Sequence, residues 1–212
     1  MAMVLFDNTP LPNLYDFSIE FSGDGLDTRA EMIAFDRIKH ILNTQMTAAI
    51  FADVNNPLIK NIQKNFNAYV ITLPTQPIDM IIGPILFSKL ISAVEGKLDI
   101  KGISISSTLG DDISTYISDE DLGSMTWMLD DKVKEITGNP AWYYRTDAGC
   151  TDIIIQNKNG FTVEHDKEDW EEHGLGWEEV KSKIDDQPAT IVKFPDKRWK
   201  PKIIDGGLDD KG

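Results

Sequence analysis

The sequence predicts an α+β fold: a mixed sheet covered by two long helices, with an aromatic-rich C-terminal hairpin and helix extension and an extended tail. Three observations lead there. The segment "YDFSIEFS" alternates Tyr15, Phe17, Ile19 and Phe21 with Asp16, Ser18, Glu20 and Ser22, the period of a strand with one wet face. Two stretches, Thr28 to about Gln45 and Ile78 to Glu95, repeat apolar residues at helical spacing. All five tryptophans, Trp127, Trp142, Trp170, Trp177 and Trp199, fall after residue 121, where the composition shifts. The resulting divisions are 1–120 for the α+β core, 121–184 for the aromatic-rich extension and 185–212 for the tail.

In chain order, the Tyr15–Ser22 strand is followed by a Gly-Asp-Gly loop and a helix capped by Asp27 or Thr28, with Met32, Phe35, Ile38, Ile41 and Leu42 as its apolar stripe. "AAIFAD" reads as a buried strand. Asn56-Pro57 opens a helix through Phe66, because proline at the first helical position forfeits no hydrogen bond. "AYVITLP" is a second buried strand. The helix from Ile78 is entered through Pro77 and Asp79 and closed by Gly96, and Gly83-Pro84 is expected to kink or split it. Its apolar residues, Ile78, Ile81, Ile82, Ile85, Leu86, Leu90 and Val94, spread over more than one stripe, so it needs cover on two sides.

The limb with Ile103 and Ile105 and the limb with Ile113, Thr115 and Ile117 make a hairpin around "TLGDD". Beyond a hydrophilic break at "SDEDLG" come a short helix over 125–136, a hairpin turned at Asn159-Gly160, a helix broken at Gly174 to Gly176, and a strand-like run, "ATIVKF".

Composition excludes several functions. Lys and Arg number 21 against 35 Asp and Glu, a net charge of −14 that repels a phosphate backbone. The densest basic stretch, "KFPDKRWKPK", reads as a solvated tail, so no direct nucleic-acid binding is expected. One cysteine, Cys150, rules out an internal disulfide framework and fits a reducing compartment. The opening "MAMVLFDNTP" has no secretory pattern and no run reaches the length of a membrane span, so the expected setting is the cytoplasm, or a virion if the source is viral.

The chemically suggestive residues are few. Gly110-Asp111-Asp112 resembles the metal-binding turn of many polymerases, and Asp53, Asp79, Asp111 and Asp112 would serve a metal-dependent hydrolase or nuclease if they converged. Adjacent aspartates in a strand face opposite ways, however, and Gly and Asp are what a hairpin turn requires, so the stretch is read as a turn. His165 and His173 would stand about 12 Å apart on a straight helix, too far to share an ion. Acids beside Cys150 raise its pKa and weaken it as a nucleophile, with His40, His165 and His173 the only candidate bases.

The run "NPAWYYRTD" differs in kind. Trp142, Tyr143, Tyr144 and Arg145, with Trp199, are the residue types that dominate binding hot spots. The expectation is therefore a non-catalytic intracellular protein-interaction or assembly component, needing no cofactor and binding a protein partner or a second copy of itself. Its small acidic character would suit a viral accessory or virion protein. The alternatives are the aspartate-based hydrolase and an acidic nucleic-acid mimic that inhibits a DNA-binding partner.

Overall fold

The structure is a computed structural model, and the described residues are 1–6, 8–22, 27–66, 68–125, 134–135, 138–157 and 160–177. Most of the expected helix over 125–136, the run at 189–194, the tail, Trp127 and Trp199 lie outside them. The fold is α+β, with a mixed sheet and helices, as the residue pattern predicts.

Strands β1 (Ala2–Phe6), β2 (Thr9–Asn13), β4 (Ile50–Asp53) and β5 (Val70–Leu73) form a four-stranded sheet in the order β2-β1-β4-β5. β1 pairs antiparallel with β2 and parallel with β4, and β4 pairs parallel with β5. Strands β1, β4 and the edge strand β5 are apolar on both faces. Val4, Phe51, Ile71 and Leu73 join the main core, while Leu5, Ile50, Ala52 and Val70 pack with Ile59 and Ile62 of α2 (Ile59–Phe66) in a second cluster. Burial on both faces is why "MVLF", "IFA" and "VITL" read as continuous apolar runs rather than alternations. Pro10 and Pro12 sit in β2, an edge strand, where a missing N–H is tolerated.

A second sheet, β3 (Tyr15–Ser22), β6 (Asp99–Ser107) and β7 (Thr115–Ser118), is antiparallel throughout. Register places Phe17 opposite Ile105 and Ile19 opposite Ile103, with Ile103 also opposite Ile117. β7 starts two residues later than the spacing suggests, and Ile113 is left exposed in the turn. A β8 (Asp152–Asn157) and β9 (Gly160–His165) hairpin follows, and its register pairs Asn157 with Gly160.

The two long helical stretches are α1 (Thr28–His40) and α3 (Asp79–Val94). Asp27 caps α1 by accepting from the Ala30 N–H at 3.1 Å. Residues 41–45 continue it as a π-helical turn instead of an α-helix. α2 begins at Ile59 and not at Pro57, because the Asn56 side chain accepts from the Leu58 N–H at 2.9 Å and holds a turn there. α3 runs unbroken through Gly83-Pro84. Gly83 lets it lie close on the second sheet: a Cβ there would stand 2.5 Å from Ile117 Cδ1. At its end Glu95 itself takes the left-handed conformation, followed by Gly96. The break "SDEDLG" carries a short helix, α4 (Asp119–Ser124), opened by a reciprocal cap between Ser118 and Asp121.

α3 is buried along most of its length, Lys89 included. Its second side is covered by the 3₁₀ turn Trp142–Tyr144, with Ser88 Oγ donating to the Tyr143 carbonyl at 3.2 Å. Trp142, Tyr143, Ala148, Cys150 and Trp170 share one hydrophobic core with the strands and helices of residues 2–117. No helix among the described residues is long and apolar enough to cross a membrane.

Candidate functional site

The run expected to face outward is largely interior. Trp142, Tyr143 and Arg145 are buried and Tyr144 is half-buried. Trp142 stacks edge-on against Tyr143 and donates its indole N–H to the Thr72 carbonyl at 2.7 Å, which ties the segment to β5. Arg145 fans into a polar network. Its Nε donates to Asp147 at 2.9 Å, Nη1 to Asp152 Oδ1 at 2.5 Å, and Nη2 to the Asp166 carbonyl at 2.7 Å.

Asp152, 1% exposed, also accepts from the Trp142 backbone N–H at 2.6 Å and lies 2.7 Å from His165 Nδ1. Although burial opposes its charge, the Asp152 and Asp147 carboxylates hold Arg145 more firmly protonated than usual. Lys89 donates to the carbonyls of Trp142, Arg145 and Asp147, and burial pushes its ammonium below the usual lysine value. These residues clamp the 141–152 segment and the β8–β9 hairpin onto α3 and β5. Apart from His165 Nε2, which is buried without a partner, their polar side-chain atoms are engaged within the network, which makes it an internal support.

Cys150 is fully buried inside the same region, and burial above all pushes its thiol up to about 12, against the opposing Lys89 charge. A thiol so protonated and enclosed is inert. The native full-length protein should not react with a thiol-specific chromogenic disulfide at pH 8 over an hour, whereas one equivalent should react at once in denaturant. Rapid native labelling would show that the enclosure opens.

The four candidate aspartates do not meet. Asp53 turns onto its own loop, accepting from the Asn55 backbone and side chain at 2.8 and 3.1 Å. Asp79 accepts from Ser107 Oγ at 2.8 Å. Asp111 and Asp112 are exposed and both left-handed, which makes the Gly-Asp-Asp stretch a turn. Among the described residues none of the four belongs to a trio of converging metal-capable side chains.

The surface that does expose apolar side chains lies elsewhere. Along α1 the buried residues are Ala30, Ile33, Ala34, Arg37 and Ile38, so the expected stripe is rotated, and Met32 (63% exposed) and Phe35 (37%) face solvent. Arg37 causes the rotation. It is taken inside by the Ala93 carbonyl at 2.9 Å, Glu95 at 2.8 Å and the Leu175 carbonyl at 3.0 Å, and lies over the Trp177 ring at 3.7 Å. The register shift after Glu20 brings Phe21, 45% exposed, within 5.6 Å of Phe35.

Met32, Phe35, Phe21 and Leu98 line a groove of about 400 Å³ together with Thr28, Glu31, Asp36 and Lys39. Lys39 is engaged, its Nζ 3.3 Å from Asp36 and 4.4 Å from the Phe35 ring. The charged residues of the lining are thus Glu31 and the Asp36–Lys39 pair. Residue types alone point away from this surface, since Met32 and Phe35 sit on what looks like a core stripe; the only signal for it is Arg37 on the same helix. No protein-family model, characterised protein or solved structure matches this chain.

Proposed function

We propose that the chain is a non-catalytic protein-interaction component that takes an apolar, basic segment of a partner protein into the groove between α1 and β3. The observation that carries this reading is the cluster of exposed Phe21, Met32 and Phe35 around one concavity. Apolar side chains gathered on a rigid helix and strand, rimmed by charge, are what a helix-in-groove or extended-segment partner uses. The partner is a different protein and its segment basic, because a chain carrying −14 repels a second copy of itself and attracts a cationic segment. The setting that suits it is the cytoplasm, or a virion if the source is viral, where a lone thiol needs no disulfide partner.

A photo-crosslinking residue at position 35 of the full-length protein, in its native host, should give one discrete adduct. Position 113, another exposed apolar site, should not give that adduct. Met32→Glu should reduce adduct yield about tenfold or more, corresponding to ~1.4 kcal/mol of binding. Its own stability should move by no more than ~0.5 kcal/mol, as for other exposed positions. The reading fails if positions 35 and 113 give the same products, if position 35 gives none, or if the adduct is a dimer of this chain.

A further inference from the structure

The three histidines of the sequence part company in the fold. His165 joins the interior network, while His40 and His173, 133 positions apart, come together with Glu168. The rings of His40 and His173 stand 4.3 Å apart, centroid to centroid, and His173 Nε2 lies 3.1 Å from Glu168 Oε2. One ligand atom from each of His40, Glu168 and His173 falls within 4.8 Å of the others, the only such trio among the described residues.

Two structural devices hold this arrangement. On the helix side, His40 is the last residue of α1 and the π-helical turn 41–45 follows directly, closed by the Met46 N–H donating to the Ile41 carbonyl at 3.0 Å. Residues five apart diverge around an α-helix but stack in a π turn, whose hydrogen bonds run from i to i+5. His40 and Gln45 therefore both address Glu168, and Gln45 Nε2 donates to Glu168 Oε2 at 2.8 Å. On the other side, Trp170 is buried and donates to the Thr146 carbonyl, fixing the 3₁₀ turn that carries His173. The Trp170 ring also meets His40 edge-on at 5.8 Å.

His40 Nε2 is buried and has no hydrogen-bond partner. A buried polar nitrogen is rarely left that way in a folded protein. Two imidazoles and one carboxylate are also a donor set of borderline character, suited to Zn²⁺ and its neighbours in the first transition row and poor for Mg²⁺ or Ca²⁺, which want several oxygens. Ligand atoms about 2.0 to 2.1 Å from a tetrahedral zinc lie roughly 3.3 Å from one another, so the His173–Glu168 pair is already at that spacing. Half-exposed His173 and Glu168 side chains give the ion a way in.

We infer that His40, Glu168 and His173 form a binding site for a zinc-class divalent ion, which pins the 166–177 segment to the end of α1 and keeps a fourth coordination position for water or a partner's side chain. Gln45 is a positioning residue, orienting the carboxylate as outer partners of metal ligands do.

The test uses full-length protein stripped with a chelator. Calorimetric titration with ZnCl₂ should show one equivalent bound at micromolar Kd or tighter, unaffected by excess Mg²⁺. Zn²⁺ should raise Tm, and the absorption edge fine structure of the loaded protein should show imidazole scattering. His173→Gln and Glu168→Gln, both on half-exposed side chains, should each weaken binding about tenfold or more, and His40→Gln should do the same. The absence of Zn²⁺ binding to the wild-type chain overturns the assignment. So does binding that persists unchanged in His173→Gln and Glu168→Gln, since the ion then sits elsewhere.

Discussion

Asp152→Ala should lower the unfolding free energy by ~3–5 kcal/mol, the range found when one partner of a buried ion pair is removed. One carboxylate, 1% exposed, accepts from the Arg145 guanidinium and the Trp142 backbone N–H and contacts His165 Nδ1. Without it the buried Arg145 retains Asp147 as its only carboxylate partner, and the Trp142 amide loses its acceptor. Asp152→Asn discriminates between charge and volume. The amide is isosteric, yet its NH₂ must replace an oxygen that faces a donor on either side, so Asn should destabilise nearly as much as Ala. Urea unfolding measures both. If Asp152→Asn falls within ~0.5 kcal/mol of wild type, Asp152 serves only to fill space. The loss should also vary little between low and moderate salt, because buried pairs are weakly screened.

The same network explains why so much of the C-terminal region was hidden in the residue pattern. "YDFSIEFS" announces β3 because one face is wet and the alternation survives, and the excess apolar content of α3 announces that something must cover its second side. What covers it is Trp142–Tyr144, and the reason is pairing. Trp142, Tyr143 and Arg145 look like an exposed hot spot until Asp152 and Lys89 are placed against them, and residue types carry no record of that juxtaposition.

α1 shows the converse. The amphipathic spacing puts Met32 and Phe35 on a core stripe, but Arg37 occupies the interior place, and the groove they line is the result. β1 leaves no sequence signal for a different reason: "AMVLF" has no alternation, since it is covered on both faces and lies inside the sheet between β2 and β4. The His40–Glu168–His173 trio depends on a π turn and on a contact across more than a hundred residues, neither of which has a sequence period.

Lys89 is the second point at which the fold should be most sensitive. Its side chain is fully enclosed, and its Nζ donates to three backbone carbonyls, Trp142 at 3.3 Å, Arg145 at 3.1 Å and Asp147 at 2.6 Å, with the Asp147 carboxylate 3.8 Å away. An ammonium has three N–H donors, and here each has a partner. Lys89→Met keeps the stem and most of the volume but strips the Arg145 and Asp147 carbonyls of this donor and leaves the Trp142 carbonyl with only the Arg145 N–H, at 3.2 Å. A hydrogen bond from a charged donor is worth ~1.5–3 kcal/mol, and because the three act together the expected loss is ~3–5 kcal/mol rather than their sum. The damage should also be local in character. The carbonyls belong to the 142–147 segment, so its hold on α3 weakens first, and hydrogen exchange at Trp142 and Arg145 amides should accelerate before the β4–β5 amides change. Cys150, enclosed by that segment, should then become reactive to thiol reagents under native conditions. A Lys89→Met protein that loses less than ~1 kcal/mol and keeps Cys150 protected would mean that the core packing of Trp142 and Tyr143 alone secures the segment, with the buried ammonium contributing little.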